Sequence, residues 1–294
     1  MFKITPYQRN NRQAVLDMLF YNTRVHSHLD WTNQEQWLGS GRAVTLLAWD
    51  AVGELVGMMS ASKPLNTISW LRLIAIDDYI PATSLLTALW KALSEAMKTH
   101  ACRELLILGI DDWVLSYLST LGFSYRERII TMARMDGCLP EIDTSSVKIR
   151  SMDNGEITAV AAIDRAAFPV SWQMSLADLR YTARIAASRT IASIDDEIVG
   201  YQVSTADSDR RRVHLARLAV YPQMQGRGIG SALLHNMLET SIKRGVRSFT
   251  VNTQADNYHS QHIYSRYQFF RNGYDLSIWG VDCSADSASS VEGK

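Results

Sequence analysis

The residues best suited to chemistry gather in the last third of the chain. The stretch YPQMQGRGIGSALL, Tyr221–Leu234, sets Gly226, Gly228 and Gly230 at alternate positions, with Arg227 between two of them. Glycine inside a regular element costs about 0.5–1 kcal/mol relative to alanine, so bare backbone is wanted here for a reason. A strand-like run ends at Val220 before the glycines, and an amphipathic helical run opens near Ser231 after them. Backbone N–H groups of residues 225–230, set at the positive end of that helix, can converge on an anion such as a pyrophosphate. Arg227 adds a full positive charge to the same loop.

Three phosphate-binding loops compete for this stretch. A Walker loop needs a lysine directly after its last glycine, and none follows here. A dinucleotide loop needs Gly-x-Gly-x-x-Gly, which would put its third glycine at Ser231, and no acidic strand end follows about 20 residues on. The pattern Gln/Arg-x-x-Gly-x-Gly/Ala is met by Gln225, Gly228 and Gly230.

The elements around the loop follow from hydrophobic spacing. VKIRSMD reads as a strand. In NGEITAVAAIDRAAF, residues Ile157, Val160, Ala161, Ile163 and Phe168 share one side of a helix. SLADLRYTARIAAS is a second helix with Ser175 as its N-cap. RTIASID and EIVGYQVSTAD form a hairpin turning at Asp195–Asp196. Next come the strand RRVHLARLAV, the glycine loop and the helix SALLHNMLETSIKRG. The strand SFTVNTQ, the short helix NYHSQHIYSRYQ and the strand GYDLSIWGVD close the series.

The first half runs in the same order. AVTLLAWDAVGELVGMMSAS is its hairpin, and ISWLRLIAI, SLLTALWKALSEAMKTH, ELLILGI, DDWVLSYLSTLGF and RERIITMAR follow as strand, helix, strand, helix and strand. This match predicts a duplicated α/β domain.

At this point the chain resembles a known family. HLARLAVYPQMQGRGIGSALL and VNTQADNYHSQHIYSRYQFF are similar to the acetyl-CoA loop and the last cofactor strand and helix of the GNAT superfamily of N-acetyltransferases. The resemblance implies an α/β fold (an α+β mixed sheet) of two tandem GNAT-like domains, each a mainly antiparallel sheet flanked by helices. It implies that Leu218, Ala219 and Val220 run beside the acetyl group and the pantetheine arm of acetyl-CoA. Gln225, Gly226, Arg227, Gly228, Ile229, Gly230 and Ser231 would hold the pyrophosphate, and Asn257, Ser260 and Tyr264 would lie by the thioester end. Phe168 and Trp172, in FPVSWQ, stand where this family shapes its acceptor site, and can equally cap the core. Arg266 and Arg271 are candidates for the 3′-phosphate. One departure is Gln268–Phe269, where the family has Gly-Phe.

Acyl transfer to an amine needs a neutral nitrogen, a polarised carbonyl and a protonated leaving thiol. Tyr264 is the candidate general acid, since a phenol titrating near ~10 can protonate a thiolate whose pKa is near ~8.5. His214 is the candidate base, and simple alternation puts it on one strand face with Ala216, Leu218 and Val220. His259 and His262 point elsewhere by spacing. Backbone amides where RLAV is bulged would polarise the thioester.

The first half lacks this chemistry. No glycines follow WLRLIAI, Asp77 and Asp78 sit where phosphates would, and Leu118 aligns with Tyr264. Carboxylates there repel a pyrophosphate. The expected division is a degenerate GNAT-like domain at 1–136, a linker at 137–146, a catalytic domain at 147–282 and a disordered tail at 283–294.

Bulk composition narrows the function classes. The 294 residues are 47% hydrophobic and 20% charged, and 30 basic residues balance 30 acidic ones. That balance gives no electrostatic case for nucleic acid or membrane partners, and the three arginines of DRRRVH read as a solvated turn. Three widely spaced cysteines, Cys102, Cys138 and Cys283, match neither a disulfide framework nor a zinc site. No metal is expected, and a cytoplasmic location is. The expected acceptor is a small-molecule or peptide amine, and the expected state is a monomer or homodimer. The competing class is a non-catalytic acyl-CoA sensor or interaction protein.

Overall fold

The computed structural model describes residues 2–135, 137–142 and 147–283. They divide into two compact units, one running up to Glu127 and resuming at Ser277, the other spanning Arg128–Leu276.

The elements of the first unit, in chain order, are β1 (Lys3–Pro6), α1 (Arg12–Tyr21), β2 (Val25–Ser27), α2 (Gln34–Gly39), β3 (Ala43–Trp49), β4 (Leu55–Ser62), β5 (Ile68–Ile76), α3 (Ala82–Thr99), β6 (Glu104–Gly109) and α4 (Asp112–Leu118). β7 (Ser124–Arg134) then leads into the second unit. There β8 (Lys148–Ser151), α5 (Ile157–Ala167), α6 (Leu176–Ile185), β9 (Ser188–Ile194), β10 (Glu197–Ala206), β11 (Arg212–Val220), α7 (Ile229–Lys243), β12 (Ser248–Gln254), α8 (Tyr258–Arg266) and β13 (Phe270–Asp282) follow. The two series repeat each other, as the sequence order predicts.

The units are not the two contiguous stretches. Ile129–Arg134 of β7 pair with β12 and so complete the second sheet, while Ser277–Asp282 of β13 pair with β6 and complete the first. Each unit therefore takes its last strand from the other's stretch of sequence. The expected tail lies outside the described residues except for Cys283, which is buried.

The sheet of the second unit runs β8-β9-β10-β11-β12-β7, with β11 and β12 parallel and the other neighbours antiparallel. Asp195 and Asp196 turn the β9–β10 hairpin with φ of 50° and 63°, the left-handed pair that a tight hairpin requires and that Asp tolerates. One face packs under α7 and α8, where Val213, Leu215, Leu234, Met237, Leu238, Phe249, Val251 and Tyr264 share a core. α5 and α6 cover the other face through Ile157, Val160, Ile163, Leu179, Tyr201 and Ala219. The first unit repeats this plan. Leu85, Leu89 and Leu93 of α3 cover one face, and Val15 and Met18 of α1 with Trp37 of α2 cover the other.

Candidate active site

The site of the second unit is built on a break in its sheet. β11 and β12 pair only from Arg212↔Ser248 to Leu215↔Val251, although β11 runs on to Val220 and β12 to Gln254. Beyond Leu215 the two strands part, and the β12-side edge of β11 is left with unpaired backbone groups. Such an edge can accept an extended, amide-bearing ligand as though it were a strand.

A bulge marks the parting. Leu215 lies opposite Ser204 and Arg217 opposite Val203, so Ala216 is the extra residue. A bulge advances the side-chain alternation by one residue. Val213 and Leu215 before it, and Leu218 and Val220 after it, pack toward α7. Arg217 and Ala219 face α5 and α6. His214 lies opposite Val213 and Leu215 and bonds Thr250, Nδ1 to Oγ1 at 2.9 Å. The expectation that His214 shares a face with Leu218 and Val220 is therefore corrected, because simple alternation does not survive the bulge.

The open edge leads into the glycine loop. Gly226 and Gly228 have φ of 77° and 78°, the left-handed region that a side chain disfavours by roughly 1–2 kcal/mol. A Cβ at either would meet nothing within 4 Å, so backbone conformation, not space, selects glycine. Gly228 is the N-cap of α7 and offers no capping side chain. The first bond back along the helix runs from Ala232 N to Gly228 O, which leaves the N–H groups of Ile229, Gly230 and Ser231 free of intrahelical partners. Gln225 donates its side-chain amide to Val220 O at 3.1 Å and braces the loop. Arg227 is exposed.

Across the slot, Asn257 caps α8 by accepting from Ser260 N at 3.1 Å. Tyr264, one turn on, is 5% exposed and its ring lies 5.8 Å from that of Phe269. Burial pushes its phenol well above the ordinary value of 10. Gln268 adopts φ of 62°, and Phe269 N bonds back to Tyr264 O. The helix thus ends in a left-handed turn of the kind that glycine usually makes, with glutamine bearing the strain. His259, His262 and Arg266 are exposed. Arg271 is engaged by Asp275, with Nε to Oδ1 at 3.0 Å.

Facing α5, a buried polar cluster escaped sequence reasoning. The fully buried Asp164 carboxylate accepts from Tyr201 Oη at 2.5 Å, Arg217 Nε at 2.9 Å and Met174 N at 2.9 Å. Arg217 also donates to Trp172 O, and its guanidinium lies 3.7 Å above the Phe168 ring. The α5–α6 connection is so tied to the strand residue next to the bulge. A signal was present, since Asp164 falls on the apolar stripe of Ile157, Val160, Ala161 and Phe168. Phe168 packs on the core and Trp172 is half-buried.

The first unit has the same break and closes it. β5 and β6 pair only from Ile68↔Glu104 to Leu71↔Ile107, and Arg72 is the bulged residue. There the edge is taken by β2, with Val25↔Ala75, His26↔Ile74 and Ser27↔Leu73. Asp78 holds the preceding residues, accepting from Thr23 N at 2.9 Å, Thr23 Oγ1 at 3.0 Å and Arg24 N at 3.1 Å. Arg24 donates in turn to Ile80 O at 3.0 Å. The chain's own segment lies where the second unit keeps an open edge.

Among the described residues no helix is long and apolar enough to cross a membrane. Residues 157–269 match the acetyltransferase (GNAT) family. No curated protein matches the sequence. Among solved structures, a tandem GNAT protein from the clavulanic acid biosynthesis pathway is 15% identical with a TM-score of 0.68, covering 98% of this chain and 100% of its own. A GCN5-related N-acetyltransferase from Sphaerobacter thermophilus is 15% identical with a TM-score of 0.62, covering 96% of each chain. A GNAT-family acetyltransferase from Colwellia psychrerythraea is 10% identical with a TM-score of 0.55, covering 95% of this chain and 98% of its own. Residues 157–269 thus match the acetyltransferase (GNAT) family, within a chain that has the tandem GNAT fold.

Proposed function

We propose that the second unit transfers an acetyl group from acetyl-CoA to a primary amine of a small molecule or peptide by direct attack. The observation that carries this reading is the open edge of β11 beyond Leu215 leading into the left-handed loop at Gly226–Gly228. Acetyl-CoA has an amide-bearing arm and a pyrophosphate. A free strand edge followed by free N–H groups at a helix start fits both in sequence.

In this reading the backbone amides of residues 217–220 polarise the thioester carbonyl. A donor of that kind is worth about 2.7–4 kcal/mol in other enzymes. Tyr264 keeps its proton at neutral pH because burial raises its pKa, and it gives that proton to the leaving thiolate. His214 stays neutral because burial lowers its pKa. With Nδ1 held by Thr250, its Nε2 takes the proton of the amine, directly or through water. Acid and base stand on opposite faces of the sheet, with His214 on the last paired stretch of β11 just before the strands part. Phe168 and Trp172 belong to the wall of the acceptor side, positioned through Arg217.

Calorimetric titration of acetyl-CoA into the wild-type protein and Gly228→Glu tests the reading. The expected result is one site per chain, lost in the variant, where bulk and negative charge fill the loop. Absence of binding to the wild type overturns it. Binding without release of the coenzyme thiol across a panel of amines favours the sensor.

A further inference from the structure

Two buried thiols that are remote in sequence meet in the first unit. Cys102, between α3 and β6, and Cys283, directly after β13, stand 181 residues apart, yet their Sγ atoms lie 3.5 Å from each other. They are 4% and 2% exposed, whereas Cys138 is exposed. Backbone bonds fix both positions. Cys102 N donates to Met97 O at 3.2 Å, and Cys283 N donates to Arg103 O at 2.8 Å. Their flanking strands are in register, with Asp282 opposite Glu104. A disulfide needs its sulfurs about 2.05 Å apart, so a small side-chain adjustment separates this contact from a bond.

We propose that Cys102 and Cys283 form an intramolecular disulfide on reaction with a low-molecular-weight disulfide, latching the end of β13 to the α3–β6 turn. The latch acts on the strand that the first unit takes from the chain's C-terminal stretch. The Cys102 thiol has two acceptors within reach, Glu104 O at 3.3 Å and the Cys283 sulfur at 3.5 Å, and its bond to Cys283 lowers the Cys283 pKa and raises that of Cys102. Cys283 is therefore the first nucleophile.

Cys283 loses its proton and attacks one sulfur of the small disulfide. The other sulfur leaves as a thiolate and takes up a proton, and a mixed disulfide remains on Cys283. Deprotonated Cys102 then attacks Cys283 Sγ and expels the second small thiolate. Two protein thiols are oxidised, and one small disulfide is reduced to two thiols. Burial makes the first attack slow, since the end of β13 has to open. The product gains stability because the closed loop is long and holds the whole sequence of the second unit.

The test uses the full chain carrying Cys138→Ser, incubated with oxidised glutathione. Free thiols are then alkylated in denaturant and the peptides mapped by mass. The expected result is loss of both remaining thiols, a cross-linked peptide joining Cys102 to Cys283, and a rise in Tm of about 5 °C. Dithiothreitol reverses the rise, and neither Cys102→Ser nor Cys283→Ala shows it. Full alkylation of both thiols after incubation overturns the proposal. So does a glutathione adduct that persists on Cys283 without cross-linking. Mapping reads the bond directly, so a variant that folds poorly does not decide the outcome.

Discussion

The guanidinium of Arg217 lies between the Asp164 carboxylate, 2.8 Å from its Nη2, and the face of the Phe168 ring, 3.7 Å away. The arginine side chain is 11% exposed and the aspartate 1%, so each charge relies on the other. Removing one partner of a buried pair leaves the other uncompensated and costs about 3–5 kcal/mol. Asp164→Ala is expected to lose stability on that scale in urea unfolding. Asp164→Leu with Arg217→Met, which removes both charges, should recover much of it. A loss below about 1 kcal/mol in the single variant would show that water already reaches the pair.

Tyr264→Phe removes one hydroxyl from a ring that the core already holds. That hydroxyl has no hydrogen-bond partner among the described residues, so little stability depends on it. Turnover should fall by about 10²-fold or more, the scale of a lost general acid, while the calorimetric affinity for acetyl-CoA stays within about twofold. Undiminished turnover removes Tyr264 from the role.

The His214 imidazole titrates below its ordinary value of 6.5 because burial disfavours the cation. The unfolded state therefore binds the proton first as pH falls, and stability declines below about pH 6.5. The same shift fixes the rate profile. Turnover should be level in this group above about pH 6.5 and fall at lower pH as the folded imidazole protonates. His214→Gln should be slower by about 10²–10⁴-fold at neutral pH and lack that acid limb. An unchanged limb in the variant would assign it to another group.

How far the site was legible depends on what kind of signal each part leaves. The glycine loop announces itself, because Gly226 and Gly228 answer a backbone requirement that few other residues meet. Tyr264 was reached only through the resemblance, seven residues after Asn257, since spacing within a helix reads equally as a core tyrosine. A bulge was expected within RLAV, but it falls just before that run, at Ala216, and with that position went the face of His214. Asp164 was visible as a polar residue on an apolar stripe, but its partners Tyr201 and Arg217 come from strands 37 and 53 residues away, and no local pattern links them. Gln268 shows the opposite case. The sequence departs from glycine, yet the turn persists at φ 62°, because Tyr267 and Phe269 are held in the core on either side. The strand exchange was hidden for the same reason as the position of the bulge. Which strand pairs with β6 is decided by tertiary contact and not by the residues of β7 or β13 alone. In the first half, β1, α1, β2 and α2 went unread, and β2 proves to be the segment that fills the first unit's parted strands.

That filling segment gives the last prediction. Asp78 receives three hydrogen bonds from Thr23 and Arg24, and these hold its carboxyl below the ordinary range, the Thr23 backbone N–H contributing most. Charge-assisted bonds are worth about 1.5–3 kcal/mol, with leftover donors adding to the loss. Asp78→Ala should therefore destabilise the protein by about 2–3 kcal/mol at neutral pH. A depressed carboxyl stabilises above its unfolded value and loses that contribution as pH falls through its folded value, so wild type and variant should converge below about pH 4. The variant still lacks the left-handed glycines that the second unit uses, so its acetyl-CoA stoichiometry should remain one per chain. A second site appearing in Asp78→Ala would mean that the segment around β2 was all that kept the first unit from binding the cofactor.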